Sequence, residues 1–411
     1  QTIRDLSEKT MNRPDLEKQY QGFIDRHLDL DLTRGKPCPE QLDLSNELLS
    51  LSLAVTDEKG TDIRNYGGLR GLAEARRLGS WLLDVPEENV IAGGNSSLNL
   101  MYLVLSWWLS ISHRNDSPAA PGRFICLVPG YDRHFTLCEH LGYDMISVSL
   151  LDDGPDMDKV EDLVRSNPDI AGIWCVPKYS NPTGHTFSDE AVKRIAALPS
   201  LTDSNFIVMW DNAYSVHHLT DNGDPLGSLF QEAERSGTQD AIAIFGSTSK
   251  ITFAGAGVGF CSLSELNLQR FEAFMGEQMI GFDKVNQLRH ARFLDSREKL
   301  AAHMAQHQTI LAPKFDAVYR ALEPLKEAGL IQYQKPNGGY FVSVDLVKAS
   351  ARAVVELASS AGVKLTPAGA TYPYGQDPAD SNLRLAPSFP DITTLEQAME
   401  VFVCSVQLAS Q

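Results

Sequence analysis

The middle of the chain repeats one rhythm, in which a short apolar run is followed by a turn and an amphipathic stretch of helical period. The apolar runs are RFICLVPG (123–130), IAGIWCVP (170–177), NFIVMWDNAY (205–214), DAIAIFGS (240–247) and GVGFCSL (257–263). Helical stretches are predicted at 97–112, 158–166 and 188–198. Near-continuous apolar strands that alternate with helices indicate a mainly parallel sheet covered on both faces. The pattern therefore predicts an α/β fold.

The chain has 411 residues, which is long for a single core. A long helical pattern at roughly 284–327 precedes GLIQYQKPNGGYFVSVDL and NLRLAPS, which predict a smaller α/β unit. We therefore expect a large domain over residues 51–310 and a small C-terminal domain over residues 311–411. Residues 1–50 are too few to fold alone and are predicted to pack on the small domain.

The composition excludes several classes of function. The net charge of −17, without a basic cluster, repels a phosphate backbone, so no nucleic-acid partner is expected. The most apolar segments end short of the ~18 residues that a membrane span needs, and no signal peptide opens the chain. No C-x-x-C pair or metal-like spacing is present, which predicts free thiols, a reducing cytoplasm and no metal site. The cysteines are Cys38, Cys126, Cys138, Cys175, Cys261 and Cys404.

Polar and aromatic side chains follow the apolar runs. Ligands bind at the carboxyl ends of parallel strands, so the candidate site residues are Tyr131, Asn181, Asp211, Tyr214 and Lys250. A desolvated lysine has a lowered pKa and a nucleophilic amine, and a protonated ring nitrogen of a ligand would satisfy Asp211. The plain alternatives are a lysine that reaches solvent and turn-forming residues at Asn181 and Asp211.

The segment AGGNSSLNLMYLVLSWW runs from glycines and small polar residues directly into an apolar helix. Free N–H groups at the start of a helix favour an anion, and Asn95, Ser96 and Ser97 would allow it to approach closely. An ordinary helix cap is the alternative. The segment matches neither a G-x-G-x-x-G nor a Walker pattern, so nucleotide binding is not implied.

The order and spacing of these signals resemble those of the fold type I aminotransferases, which use pyridoxal 5′-phosphate. The resemblance extends from LTRGKP (32–37) through NYGGLRGLAEAR (65–76) to NLRLAPS (382–388). PGYDRHF and STSKITFAGAGVG are similar to the aspartate aminotransferase subgroup of actinobacteria, whose domain is related to that of the MocR regulators. The resemblance implies a seven-stranded, mainly parallel sheet between helices, with a smaller α/β domain.

The resemblance also implies the chemical roles of the strand-end residues. Lys250 would form the covalent link to the cofactor and move a proton between the substrate Cα and the cofactor C4′. Asp211 would pair with the pyridinium nitrogen, with His134 behind it. Tyr131 would stack on the ring, and two further side chains, Asn181 and Tyr214, would hydrogen-bond to the phenolic oxygen.

The phosphate site implied by the resemblance consists of Asn95, Ser96, Ser97, Ser247 and Ser249. Tyr66 resembles the tyrosine that reaches the phosphate of the partner subunit, which implies a homodimer with shared active sites. One departure from the family pattern is Val258, which stands where an arginine usually neutralises the phosphate.

The substrate site implied by the resemblance contains Arg384, which would hold the α-carboxylate in a bidentate fork, and Gly35. For the second cation that a dicarboxylic substrate needs, Arg133 is the first choice, Arg34 the second and Arg289 the third. A surface arginine in a salt bridge is the alternative for each.

The activity predicted from the resemblance is transfer of the amino group of aspartate or glutamate to a 2-oxo acid such as 2-oxoglutarate. The alternatives are an aminotransferase for kynurenine or aromatic amino acids, a C–S lyase on the same fold, and a non-catalytic sensor like the MocR effector domain. A sensor would normally follow a DNA-binding helix-turn-helix, whereas only some 30 residues precede LTRGKP.

Overall fold

The main sheet lies at the centre of the structure, a computed structural model that describes residues 12–112 and 121–411. Its eight strands are arranged in the order β2-β9-β8-β7-β6-β3-β4-β5. They are β2 (Val90–Ala92), β3 (Arg123–Val128), β4 (Asp144–Leu151), β5 (Gly154–Pro155), β6 (Ile170–Cys175), β7 (Ile207–Asp211), β8 (Ile242–Ser247) and β9 (Gly259–Ser262). Strands β3, β4, β6, β7 and β8 are parallel, and β9 is antiparallel to both its neighbours.

Two smaller sheets use the remaining strands. In the first, β1 (Leu30–Asp31) pairs in parallel with β12 (Val363–Lys364). In the second, β10 (Ile331–Gln332), β11 (Val342–Leu346) and β13 (Asn382–Leu385) form an antiparallel sheet. Strand β13 carries Arg384, so this second sheet brings a residue from near the end of the chain into the site described below.

Helices cover both faces of the main sheet and surround the smaller sheets. From α1 to α7 they are Arg13–Ile24, Pro39–Asp43, Ala73–Leu83, Ser97–Ser112, Asp132–Leu141, Met157–Ser166 and Asp189–Ala197. From α8 to α13 they are Leu229–Ser236, Glu265–Gly276, Lys284–Phe293, Arg297–Glu327, Ala351–Ser360 and Ile392–Ala409. No helix within the described ranges is long and apolar enough to cross a lipid bilayer.

The main sheet is apolar on both faces, as its near-continuous apolar strands predict. Along β7, Val208 and Trp210 pack in one hydrophobic core, whereas Ile207 and Met209 pack in the other. This alternation follows from the two-residue period of a strand, because successive side chains point to opposite faces. The predicted α/β class is confirmed, and the two-residue β5 adds an eighth strand to the seven expected.

A third hydrophobic core joins the two ends of the chain. It contains Leu16 and Phe23 of α1 together with Phe402 of α13 and much of the sheet around β11. The long helix α11 reaches two cores, because Leu300 lies in a core of the main sheet and Phe315 lies in the third core. The boundaries at residues 50 and 310 stay a prediction.

The helical pattern predicted over residues 284–327 is interrupted. Helix α10 ends at Phe293, and α11 begins at Arg297. Ser296 adopts an extended backbone (φ −150°, ψ 158°) and its side chain accepts a hydrogen bond from the Lys299 N–H, so it caps a new helix. Apolar residues stop at Leu294 and resume at Leu300 after the polar stretch DSREK, which the helical pattern alone does not distinguish from an exposed turn of one helix.

Candidate active site

The parallel strands β3, β6, β7 and β8 end at one edge of the main sheet, where the candidate residues follow them. Tyr131 lies three residues beyond β3, at the start of α5, and Asn181 follows β6. Asp211 is the last residue of β7, and Lys250 lies three residues beyond β8. The carboxyl edge of the sheet therefore gathers side chains that are up to 119 residues apart in the sequence.

Asp211 is buried and only half satisfied. Its Oδ2 lies 2.9 Å from Nε2 of His134, which is equally buried. The His134 ring stacks on Trp174 at 4.0 Å with an interplanar angle of 8°, and this contact fixes the orientation of the imidazole. The second carboxylate oxygen, Oδ1, is buried and receives no hydrogen bond from the described residues. Such an orphaned oxygen is costly unless a ligand donates to it.

The Lys250 amine lies between two tyrosine rings. Nζ is 5.3 Å from the ring centroid of Tyr214 and 5.8 Å from that of Tyr340. Removal from water lowers the pKa of Lys250, and the nearby Asp211 carboxylate partly opposes this shift. The structure thus holds this lysine in surroundings that favour a neutral, nucleophilic amine.

Two tyrosine hydroxyls in the site are held in the neutral form. Burial raises the pKa of Tyr131, with a further contribution from the Asp211 charge, while Arg133 and Arg384 oppose the rise. Burial also raises the pKa of Tyr214 well above its usual value. Both hydroxyls remain protonated at neutral pH and can donate hydrogen bonds to a ligand.

Arg384 lies on β13 with its side chain 9% exposed. Its Nη1 donates to Oδ1 of Asn181 at 3.3 Å and to Oδ1 of Asp132 at 3.1 Å. Its guanidinium carbon lies 4.8 Å from the ring centroid of Phe341. Nε is buried without a partner among the described residues, so one edge of the guanidinium is left for a carboxylate.

Gly35 belongs to the same region through Phe341. A Cβ atom at Gly35 would overlap the Phe341 ring, so only glycine fits against this ring without a shift. The ring in turn supports Arg384. Sequence reasoning missed both Phe341 and Asp132, although Asp132 stands next to Tyr131 in the PGYDRHF motif.

The start of α4 packs against the loop that carries Lys250. The Gly93 N–H donates to the Gly259 carbonyl at 2.8 Å, and the Gly259 N–H donates to the Gly94 carbonyl at 3.0 Å. Oγ of Ser249 donates to the Asn95 carbonyl at 3.4 Å. Gly94 has φ +64°, a conformation that glycine adopts at little cost.

Other members of the predicted phosphate site line the same contact. The Ser249 N–H donates to Oγ of Ser247 at 3.3 Å, Ser96 precedes α4, and Ser97 is its first residue. Val258 is buried in a core of the main sheet, and its N–H donates to Oγ1 of Thr248 at 2.9 Å. The position where the family usually has an arginine is therefore committed to packing.

Four predicted residues take no part in the hydrogen bonds described above. The Tyr66 side chain is 83% exposed, in a loop where Gly67 and Gly68 have positive φ. Arg34 is exposed, and Arg289 lies on α10 with Nε buried and without a described partner. Arg133 is exposed on α5 and lines a groove of about 390 Å³ together with Ser96, Asn99, Tyr102 and His140.

The residues present fit pyridoxal 5′-phosphate. The free Asp211 Oδ1 suits a protonated ring nitrogen, Lys250 suits the aldehyde, and the start of α4 suits a phosphate. The fold and this arrangement together are those of a fold type I enzyme of the pyridoxal-phosphate class, to which the aminotransferases belong.

Comparison with known proteins agrees with that class. The family described as aspartate amino-transferase matches residues 6–411. An aspartate aminotransferase from Corynebacterium glutamicum is 45% identical over 407 residues, which cover 96% of this chain and 93% of that protein. The chain therefore belongs to the aspartate aminotransferase family. Pyridoxal phosphate is the cofactor that this family implies.

Solved structures give the same result. An aspartate transaminase from Corynebacterium glutamicum superposes with a TM-score of 0.92 at 45% identity, covering 97% of this chain and 95% of that chain. An α-aminoadipate aminotransferase from Thermus thermophilus, complexed with N-(5′-phosphopyridoxyl)-L-leucine, has a TM-score of 0.75 at 23% identity and covers 94% and 96% of the two chains. At that identity it shows the fold alone. The predicted family, fold class and aminotransferase activity are confirmed.

Proposed function

We propose that this protein uses pyridoxal 5′-phosphate to transfer the amino group of aspartate or glutamate to a 2-oxo acid such as 2-oxoglutarate. The observation that carries the proposal is the buried, unpartnered Oδ1 of Asp211, at the same sheet edge as a lysine of lowered pKa. The 45% identical aspartate aminotransferase supports aspartate as the donor.

The cofactor, when bound, supplies an electron sink for the negative charge that develops at the substrate Cα. Asp211 would accept a hydrogen bond from the ring nitrogen at Oδ1 and so keep that nitrogen protonated. His134 holds the carboxylate through Oδ2, and the stack on Trp174 holds His134. This rigid chain of contacts means that little reorganisation is needed when the cofactor enters.

Lys250 would hold the cofactor covalently and would act as the base for the substrate Cα proton. Burial lowers the pKa of its amine, which favours the neutral form that a base requires. Because the rings of Tyr214 and Tyr340 border the amine, water has limited access to it. The same amine would then deliver the proton taken from Cα to C4′ of the cofactor.

The substrate α-carboxylate binds to the free edge of Arg384. Nη1 is already engaged by Asn181 and Asp132, so a bidentate carboxylate uses Nε and Nη2. Because Oδ1 of Asn181 accepts from Arg384, its amide N–H₂ is left to donate to the phenolic oxygen of the cofactor. Arg133 is our choice for the distal carboxylate, since it lies close enough to Tyr131 to influence the pKa of its hydroxyl.

The cofactor phosphate would bind at the start of α4, near backbone N–H groups and the hydroxyls of Ser96, Ser97 and Ser247. Ser249 would join them by turning its hydroxyl from the Asn95 carbonyl to the phosphate. Asn95 adds a side-chain amide at the same point. Tyr66 of one subunit would reach the phosphate bound in the other subunit. Its exposed side chain supports this role, because it extends from its own subunit into solvent. This assignment makes the active enzyme a homodimer.

We also place the enzyme in the cytoplasm. All six cysteines are free and buried, and none is paired in a disulfide. Unpaired thiols are the usual state in a reducing compartment.

A half-reaction tests the proposed function. Aspartate alone, added to the purified protein with pyridoxal phosphate, should convert the absorbance of the lysine-bound cofactor to that of the amine form, with formation of oxaloacetate. Lys250→Ala should lose both the starting absorbance and turnover. Release of pyruvate or ammonia without the amine form would instead indicate a lyase, and no response to either aspartate or glutamate would refute the proposal.

A further inference from the structure

A buried hydrogen-bond network meets the backbone carbonyls of Lys250 and Ile251. Its side chains are Gln41 of α2, His303 and His307 of α11, and Tyr340 before β11, and all four are buried. We call these four residues the Gln41 network. They come from three separate parts of the chain, and the roles assigned above use none of their polar groups.

The direction of the hydrogen bonds can be deduced from Gln41. Its Oε1 accepts from the Cys38 N–H at 3.2 Å, so Nε2 is the donor group. Nε2 lies 2.9 Å from Nδ1 of His307 and 2.9 Å from Oη of Tyr340. Both of the amide hydrogens therefore have an acceptor, and His307 must be unprotonated at Nδ1.

The remaining protons point to the lysine segment. With Nδ1 as an acceptor, His307 carries its proton on Nε2 and donates it to the Ile251 carbonyl at 2.8 Å. His303 Nε2 donates to the same carbonyl at 2.7 Å, which uses both lone pairs of the oxygen. Tyr340 accepts from Gln41, so its own proton is free for the Lys250 carbonyl at 3.4 Å.

Gln41 belongs to the same segment as Gly35, which contacts the ring beside Arg384. Six residues before it, Gly35 lies against Phe341, which stacks on Arg384. Tyr340 is the direct neighbour of Phe341. The same two pieces of chain therefore contact the carboxylate site on one side and the backbone of Lys250 on the other.

We propose that Gln41 is a positioning residue for Lys250: through His307 and Tyr340 it fixes the peptide carbonyls of Lys250 and Ile251, and so the place of the reactive amine. The proposal rests on Lys250 being the cofactor lysine. A misplacement of a reacting group by about 1 Å can cost about 10²-fold in rate, so loss of this network should affect turnover more than binding.

The test compares Gln41→Leu with Gln41→Glu in the full chain. Leucine removes every hydrogen bond, whereas glutamate keeps the size of the side chain but its carboxylate has no N–H to donate. Both variants should lower kcat for aspartate about tenfold or more and change KM less than about twofold. Asn267→Ala is the control, because Asn267 is a buried amide bonded to the Asp240 carbonyl and lies outside the network.

A second measurement is independent of turnover. Backbone hydrogen exchange of residues 249–253 should be about tenfold faster in both Gln41 variants, with or without pyridoxal phosphate, and unchanged in Asn267→Ala. If Gln41→Leu does not fold, Tyr340→Phe removes only the hydroxyl that donates to Lys250 and should lower kcat about threefold. Wild-type kcat in Gln41→Glu, or wild-type exchange at residues 249–253, would overturn the proposal. Absence of cofactor absorbance in the wild type would instead refute the proposed function.

Discussion

At the residue scale, the buried Oδ1 of Asp211 explains why this site should select a protonated ring. An acceptor that is buried without a donor costs about 1–3 kcal/mol, and a ring N–H removes that cost on binding. His134 cannot supply the second hydrogen bond, because its Nε2 is already committed to Oδ2. The protein therefore stores, in a single atom, a preference for a cofactor with a positively charged ring nitrogen.

Asp132 provides the first prediction, because its carboxylate occupies one corner of Arg384. A substrate carboxylate that binds the same guanidinium is repelled by this charge. The Asp132 side chain is 37% exposed, so the repulsion is screened to about 1 kcal/mol. We expect Asp132→Asn to lower KM for aspartate about fivefold at low salt, with a smaller effect at high salt. Steady-state kinetics at two ionic strengths measure this.

The opposite result for Asp132 would carry its own meaning. A higher KM in Asp132→Asn would show that the carboxylate orients Arg384 rather than opposing the substrate. Asp158→Asn is a suitable control, because Asp158 pairs with Arg194 on the surface and should leave KM unchanged.

Arg133 provides the second prediction. If it holds the distal carboxylate, Arg133→Ala should raise KM for aspartate and glutamate about 30-fold more than KM for an apolar amino acid. This factor corresponds to about 2 kcal/mol of binding free energy, the lower end for a charged pair at a binding site. Competition between donors in steady-state kinetics measures the difference. Equal losses for both kinds of substrate would refute the assignment, and Arg34→Ala then becomes the next variant to make.

The site could be predicted from the sequence only where its residues share a motif or follow a strand. Lys250, Asp211 and His134 met that condition. The Arg384–Asp132 pair did not, because it joins residues 252 positions apart and depends on how β13 lies against α5. Phe341 carried no chemical signal either, since its role is to support a guanidinium by contact.

At the element scale, α11 carries two buried histidines one turn apart, and they make its stability sensitive to acid. Burial lowers the pKa of His303 and also lowers the pKa of His307, to about 4. The unfolded chain has the higher pKa, so it binds protons first as the pH falls. The two neutral histidines contribute fully to the free energy of unfolding above about pH 6.5. This contribution is lost between about pH 6.5 and 4, and His307 accounts for about 3 kcal/mol of it.

Urea unfolding between pH 7.5 and 4.5 measures that loss. The free energy of unfolding should fall as the pH is lowered. Its slope against pH should be shallower in His307→Gln, by an amount that corresponds to at most one bound proton. Glutamine is the matched replacement because its amide N–H can still donate to the Ile251 carbonyl. Equal slopes for the two proteins would contradict the assignment.

Secondary structure was predictable where period and caps agree. Helix α4 occupies residues 97–112, as its apolar period predicts. Strand β4, in contrast, was not predicted, because DMISVSLL alternates buried and exposed residues and lacks the continuous apolar run of its neighbours. The break between α10 and α11 depends on one capping serine within the polar stretch 295–299, which the pattern alone reads as an exposed turn of one helix.

At the scale of the whole molecule, Tyr66 makes a prediction about the dimer. Tyr66→Ala and Lys250→Ala should each be nearly inactive alone. In a mixed dimer, the subunit with Lys250 receives Tyr66 from its partner and forms one complete site. Statistical mixing of the two variants should then restore about a quarter of the wild-type activity. Refolding the variants together and measuring turnover tests this.

Mixing gives no recovery if Tyr66 serves its own subunit, because no subunit then carries both residues. Size-exclusion chromatography of each variant shows whether the dimer itself has been lost. A dimer that forms without recovery of activity would contradict the shared site.

The burial of Val258 has a consequence for how strongly such an enzyme would retain its cofactor. With valine at that position, the proposed phosphate site would offer neutral donors and a helix start, and the bond to Lys250 would contribute more to cofactor retention. During turnover the amino group of the substrate would replace Lys250 on the cofactor, and the substrate nitrogen would remain there as an amine when the 2-oxo acid leaves. The enzyme would therefore bind its cofactor most weakly during turnover. Its active fraction would then depend on the concentration of free cofactor in the cell.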